Sequence, residues 1–127
     1  MRVSFDQKQG LVILGAKLWG PTGNAVLRLA LDTGATSTIV NVGLLLAVGY
    51  DPAVGHERVQ VTTGSGIEFA PRVITFRIAA LGHERVRLPI LGHTLPPTAG
   101  VDGLLGLDFF RQRRLSLDFR RGQIVLN

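Results

Sequence analysis

The apolar run Val26 to Leu31 ends abruptly in Asp32-Thr33-Gly34-Ala35, and this junction restricts the fold more than any other stretch. Val26, Arg28 and Ala30 alternate only imperfectly with Leu27, Leu29 and Leu31, which predicts a strand buried on both sides near its end. Asp and Gly then favour a sharp turn. One carboxylate is thereby placed at the mouth of a buried strand. Late in the chain Val101-Asp102-Gly103-Leu104-Leu105-Gly106 supplies an apolar pair closed by glycine. A chain of 127 residues has the size of one domain, taken as residues 1–127. It carries a single aspartate motif of this kind, so if Asp32 is catalytic a second chain is the expected source of its partner carboxylate.

Apolar residues make up 46% of the chain and the mean hydropathy is +0.29, which argues against disorder. There is no cysteine, so thiolate metal sites, disulfides and thiol nucleophiles are excluded. No apolar stretch is long enough for a membrane-spanning helix. Gly10 to Trp19 is short, interrupted by Lys17 and preceded by Asp6, so it does not read as a signal peptide. These features favour a cytoplasmic location. The net charge of +5 comes mostly from arginine, with Arg111, Arg113, Arg114, Arg120 and Arg121 crowded near the C-terminus. An anionic partner is one reading of that cluster. A solvated face is the simpler one, because no run of stacking aromatics accompanies the arginines, and no nucleic-acid partner is expected.

The texture is β throughout. Gly10 to Trp19 and Ala25 to Leu31 predict two strands joined by the turn-rich Gly20-Pro21-Thr22-Gly23-Asn24. Thr38 to Val40 predicts a brief strand, and Asn41 an N-cap for a short helix over Val42 to Ala47, broken by Gly49. Arg58 to Thr63 and Ile67 to Ile78 read as a long hairpin tipped by Thr63-Gly64-Ser65-Gly66. Glu84 to Leu91 predicts a further strand, Asp108 to Gln112 one or two helical turns, and Leu115 to Phe119 with Gln123 to Leu126 a final pair. Gly-His-Glu-Arg-Val occurs at Gly55 to Val59 and again at Gly82 to Val86, each time entering a predicted strand.

This ordered set resembles the retropepsin-like aspartic proteases, with bacterial members the nearer likeness, over almost the whole chain. The resemblance implies an all-β closed barrel or sandwich with one or two short helices and a flap hairpin. It implies an aspartic endopeptidase acting as a homodimer on peptide or protein substrates, with no metal or organic cofactor. Carried over by position, Asp32 is the expected catalytic aspartate, Thr33 the residue that locks the two active-site loops together, and Gly34 the point of close backbone approach. Ala35 is expected to line the substrate site, with Thr63, Gly64, Ser65 and Gly66 at the flap tip. Leu104, Leu105 and Gly106 are expected to support the catalytic loop. Retroviral members carry an aspartate directly after the Asp-Thr-Gly-Ala stretch and an arginine after the later glycine. Thr36 and Leu107 stand at those places here, which predicts a different mode of dimerisation.

Other acids and histidines have simpler roles. Asp102 reads as a turn residue, with an intramolecular carboxylate pair as the alternative. Asp108 reads as an N-cap or a structural acceptor for the short helix, and Asp118 as a partner for a local arginine. His56, His83 and His93 lack a metal-ligand spacing and read as turn or surface residues. Gly64-Ser65-Gly66 matches neither a dinucleotide loop nor a phosphate loop. Ser37 and Ser65 lack a nucleophile elbow. The alternative to an enzyme is a non-catalytic binding or dimerisation module on the same fold.

Overall fold

The computed structural model describes residues 1–53, 57–63 and 66–127, without the side chains of 62, 63 and 97. Among the described residues, twelve strands and two short helices follow in the order β1 (Arg2–Ser4), β2 (Ile13–Gly20), β3 (Gly23–Leu31), β4 (Ile39–Asn41), α1 (Val42–Ala47), β5 (Glu57–Thr63), β6 (Gly66–Ile74), β7 (Arg77–Ala80), β8 (His83–Val86), β9 (Pro89–His93), β10 (Gly103–Leu105), α2 (Leu107–Phe110), β11 (Leu115–Asp118) and β12 (Gln123–Leu126). A 3-10 turn at Pro97–Ala99 precedes β10. Nine strands form one curled sheet in the order β5-β6-β9-β4-β10-β3-β2-β7-β8, a half-barrel, and β1-β12-β11 form a second sheet. The expected all-β fold with two short helices is what the chain adopts.

The hairpin β2–β3 is the spine of the large sheet. Its two-residue connection, Pro21-Thr22, joins Gly20 paired with Gly23, and the register runs on to Ile13 opposite Ala30. Alternate residues Leu14, Ala16 and Leu18 of β2 are buried, as a strand with one core face requires. On β3 the alternation breaks down where the sequence predicts it should. Leu27 and Leu29 are fully buried and the neighbouring Ala30 is buried too, in the stretch where β10 pairs alongside in parallel register, Leu104 against Ala30.

The helix α1 spans the predicted residues. The Asn41 side chain accepts from the Gly43 amide at 3.0 Å, satisfying one of the free first-turn donors. Gly49 (φ +100°) ends the turn, and its left-handed backbone favours glycine.

Two strands read as continuous are each broken. The predicted strand from Ile67 to Ile78 divides into β6 and β7, and that from Glu84 to Leu91 into β8 and β9. Both breaks lie at one corner. There Thr75, 1% exposed, donates through both its amide and its hydroxyl to the Leu88 carbonyl, and Arg87 adopts a left-handed φ of 59°. Beyond the corner, β7 leaves β6 to pair with β2, while β8 follows β7. The corner lets one long hairpin serve two parts of the curled sheet.

Tyr50, the single tyrosine, secures this corner. Its hydroxyl donates to the Trp19 carbonyl at 2.6 Å and accepts from the Phe76 amide at 2.7 Å, and its ring meets Phe76 edge-on at 5.8 Å. Burial pushes the phenol above its ordinary range, and the Phe76 amide pulls it partly back. Tyr50→Phe should lower unfolding free energy by about 1–3 kcal/mol, since a buried amide and a carbonyl each lose a partner. The raised folded value fixes the pH dependence: the neutral phenol's contribution is fully present below the unfolded value of 10.0 and is lost as pH rises through the folded one. Urea titrations at neutral and strongly alkaline pH should therefore show the gap between wild type and Tyr50→Phe closing as pH rises. The phenolate absorbance of a single tyrosine reports the titration directly.

Candidate active site

Asp32 leaves the end of β3, and the loop it begins returns as β4. Those two strands are not neighbours. β10 lies between them, parallel to β3 and antiparallel to β4, so the loop must straddle the end of β10. Two strand spacings set its span at roughly 10 Å.

Four consecutive residues hold the loop in place. The Leu105 carbonyl accepts from the Asp32 amide at 3.0 Å. The Gly106 amide donates to the Thr38 hydroxyl at 3.1 Å. The Leu107 amide donates to the Ala35 carbonyl at 2.8 Å. The Asp108 carboxylate accepts from the Thr38 hydroxyl at 2.6 Å and from the Thr38 amide at 2.9 Å. Within the loop, the Gly34 amide donates to Asp32 Oδ1 at 2.9 Å and the Ala35 amide to the Asp32 carbonyl at 3.2 Å. One carboxylate oxygen is thus held by backbone.

The loop opens on a cleft of about 350 Å³ lined by Asp32, Gly34, Ala35, Thr36, Ser37 and Ile39. Leu91 and Leu104 continue this wall, and Val59, Gln60 and Val61 of β5 complete the cleft. Among the described residues lining it, Asp32 is the one carboxylate. The side walls are aliphatic and the Asp32 loop is polar. Asp32 itself is half-buried, whereas Thr33 and Gly34 are exposed. Among the described residues the Thr33 side chain has no hydrogen-bond partner in its own chain.

The hairpin expected to serve as the flap forms as β5–β6, paired in register from Glu57 opposite Arg72 to Thr63 opposite Gly66. Gly64 and Ser65, the predicted tip, lie outside the described residues. Thr63 and Gly66 close the described part of the ladder, and Gly66 has a φ of +127°. On β6, two ladder pairs from the Thr63–Gly66 end, Glu68 Oε2 lies 2.7 Å from the His93 ring nitrogen Nε2, bridging β6 to β9. Sequence reasoning had no sign of that bridge. His83 meets the Leu126 carbonyl at 2.8 Å, and His56 lies outside the described residues.

Asp102 does not join Asp32. Its carboxylate accepts from the Arg28 amide at 2.7 Å. Arg28 is four residues before Asp32 on an extended strand, a separation of roughly 13 Å. Asp102 instead locks the start of β10 against β3, and its carbonyl accepts from Asn41 at 2.8 Å. Of the two roles expected of Asp108, the N-cap does not form, and the carboxylate is a structural acceptor. Gly106 occupies the cap of α2, and Asp108 lies inside the first turn with its carboxylate turned to Thr38. Asp118 accepts from the Arg120 and Arg121 amides, capping the β11–β12 turn, while the Arg121 guanidinium stands 3.9 Å away. Thr36 and Leu107 carry no ion pair. Both termini are folded into their own chain's sheet, β1 and β11 flanking β12.

Comparison with known proteins agrees with this architecture. A crystal structure of a retropepsin-like aspartic protease from Rickettsia conorii superposes with a TM-score of 0.74 over 100% of this chain and 89% of that one, at 16% sequence identity. No curated protein sequence matches the chain. The family model described as "gag-polyprotein putative aspartyl protease" matches residues 22–112, a span that begins in the β2–β3 turn and includes both the Asp32 loop and the β10–α2 segment clamping it. The chain therefore belongs to the retropepsin-like aspartyl protease family.

Proposed function

We propose that the protein, a single domain over residues 1–127, is a homodimeric aspartic endopeptidase with one Asp32 from each subunit at the centre of its site. The observation that carries this reading is the Asp32 loop itself. Its carboxylate is fixed by the Gly34 amide at 2.9 Å at the edge of a partly aliphatic cleft, and no other carboxylate lines that cleft among the described residues. The exposed Thr33, without a side-chain hydrogen bond among the described residues, is the residue that would reach across to the second loop.

Two carboxylates held about 3 Å apart cannot both ionise easily and share one proton. The ionised member takes a proton from a water between them, and the resulting hydroxide attacks the scissile carbonyl. The protonated member donates to the carbonyl oxygen as it gains charge. In the tetrahedral intermediate the proton just taken is passed to the amide nitrogen, the C–N bond breaks, and the acid and the amine leave. Both carboxylates titrate as one unit. The β5–β6 hairpin would clamp an extended peptide and exclude water. Aliphatic Ile39, Val59, Val61, Leu91 and Leu104 would receive its apolar side chains.

A peptide library incubated with the protein across acidic and neutral pH tests this reading. Cleavage is expected at apolar sites, with activity falling above neutrality as the shared proton is lost. Specific activity should also fall on dilution, as dimers dissociate. Turnover per chain that stays constant down to a demonstrated monomer would overturn the two-chain site.

A further inference from the structure

We infer that Asp108, acting through Thr38, is a positioning residue for the Asp32 loop. The inference rests on the peptidase reading above for its kinetic consequence, and on the clamp geometry alone for its structural one.

Thr38 is 0% exposed, so its polar groups must be satisfied inside the protein. All of them are. The hydroxyl hydrogen goes to Asp108 Oδ1, a hydroxyl lone pair receives the Gly106 amide, and the Thr38 amide goes to Asp108 Oδ2. The hydroxyl is therefore oriented from both ends, and one carboxylate captures side chain and backbone of a single residue. Thr38 is the last residue before β4, just as Asp32 is the first after β3. With Asp32 tied to Leu105 and Thr38 tied to Asp108, both feet of the loop stand on one short segment, and the loop's height over β10 is set between them.

The chemistry admits no simple substitute. Asparagine has the shape of aspartate but a single acceptor oxygen. In Asp108→Asn the amide group must face a donor, either the Thr38 amide or the Thr38 hydroxyl already turned by Gly106. Thr38→Val keeps the shape and removes the hydroxyl, leaving Asp108 Oδ1 and the Gly106 amide without it. Thr38→Ser keeps every hydrogen bond and loses one methyl.

The test compares wild type with these three variants by peptide cleavage, by urea unfolding and by amide hydrogen exchange of residues 32–38. Asp108→Asn and Thr38→Val should lower kcat roughly 10²-fold with KM changed less than about threefold, because the reacting groups are misplaced while the walls remain. The two limbs of their pH–rate profiles should draw together as the carboxylates separate and couple less strongly. Exchange of the Gly34 and Ala35 amides should quicken. Thr38→Ser should restore kcat, profile and protection. Variants that keep wild-type kcat and profile while unfolding at lower urea would overturn the inference, leaving a structural contact only. If wild-type protein cleaves nothing, the peptidase reading fails by itself. Exchange then decides the clamp: unchanged protection of the loop in folded Asp108→Asn or Thr38→Val would overturn it.

Discussion

Asp32→Asn should abolish cleavage, with a loss on the order of 10⁴-fold or more, as expected when one member of a catalytic unit is removed. Asparagine is the informative replacement because its side-chain oxygen can still accept the Gly34 amide, the bond that closes the loop on Asp32 at 2.9 Å. Its amide can neither take the water's proton nor return it to the leaving nitrogen. The variant should therefore fold with the wild-type unfolding midpoint. Mixing gives a sharper result. When wild type and Asp32→Asn exchange subunits at constant total concentration, only pairs of wild-type chains hold two carboxylates. Activity should follow the square of the wild-type fraction. A linear response would mean that each chain works alone, and would remove the shared site. Undiminished cleavage by purified Asp32→Asn would remove Asp32 from the chemistry altogether.

The parts of the fold legible in the sequence are those decided by near neighbours. The helix α1 and its Asn41 cap fall where predicted because the capping bond spans two residues. The β2–β3 hairpin follows from alternation and a tight turn, and the loss of alternation at Leu29-Ala30 foretold the cover on both faces of β3. What escaped was fixed by distant partners. The corner at Thr75 and Phe76 depends on a tyrosine hydroxyl 26 residues away, and neither Thr75 nor Phe76 is a residue that interrupts a β pattern. β1 is too short to register by periodicity and exists because β12 accepts it as an edge. Asp108 read as a helix cap or a structural acceptor, because acids are common in first turns, and the choice between them was not local. Its true partner, Thr38, lies 70 residues earlier, a separation over which no spacing rule operates. Asp32 was legible for the opposite reason: its turn chemistry and its strand are contiguous.

The largest expected loss of stability comes from Gly103→Ala, a position away from the cleft. A β-carbon at Gly103 would stand 2.0 Å from the Ile39 carbonyl oxygen, and 3.0 Å from both the Ile39 carbonyl carbon and the Val40 α-carbon. All three are backbone atoms, so no side chain can swing aside. Gly103 pairs with Leu29 on one side and Val40 on the other, and relief of the clash would pull β10 out from between β3 and β4. Unfolding free energy should fall by about 3 kcal/mol or more, the range of severe overpacking. Gly106→Ala makes a useful contrast. Its β-carbon would meet the Ala35 carbonyl oxygen and the Ser37 carbonyl group at 2.8 Å. Those atoms belong to the Asp32 loop, which can lift from β10 more readily than β4 can leave the sheet. Gly106→Ala should lose most of its cleavage activity with a smaller loss of stability. Gly15→Ala is the control, with nothing within 4 Å of the added carbon, and should be neutral or gain about 0.5 kcal/mol through the unfolded chain. Urea denaturation of the three variants checks the order. A Gly103→Ala protein as stable as Gly15→Ala would mean that β10 does not run between β3 and β4, and with it would go the reason why the Asp32 loop stands where it does.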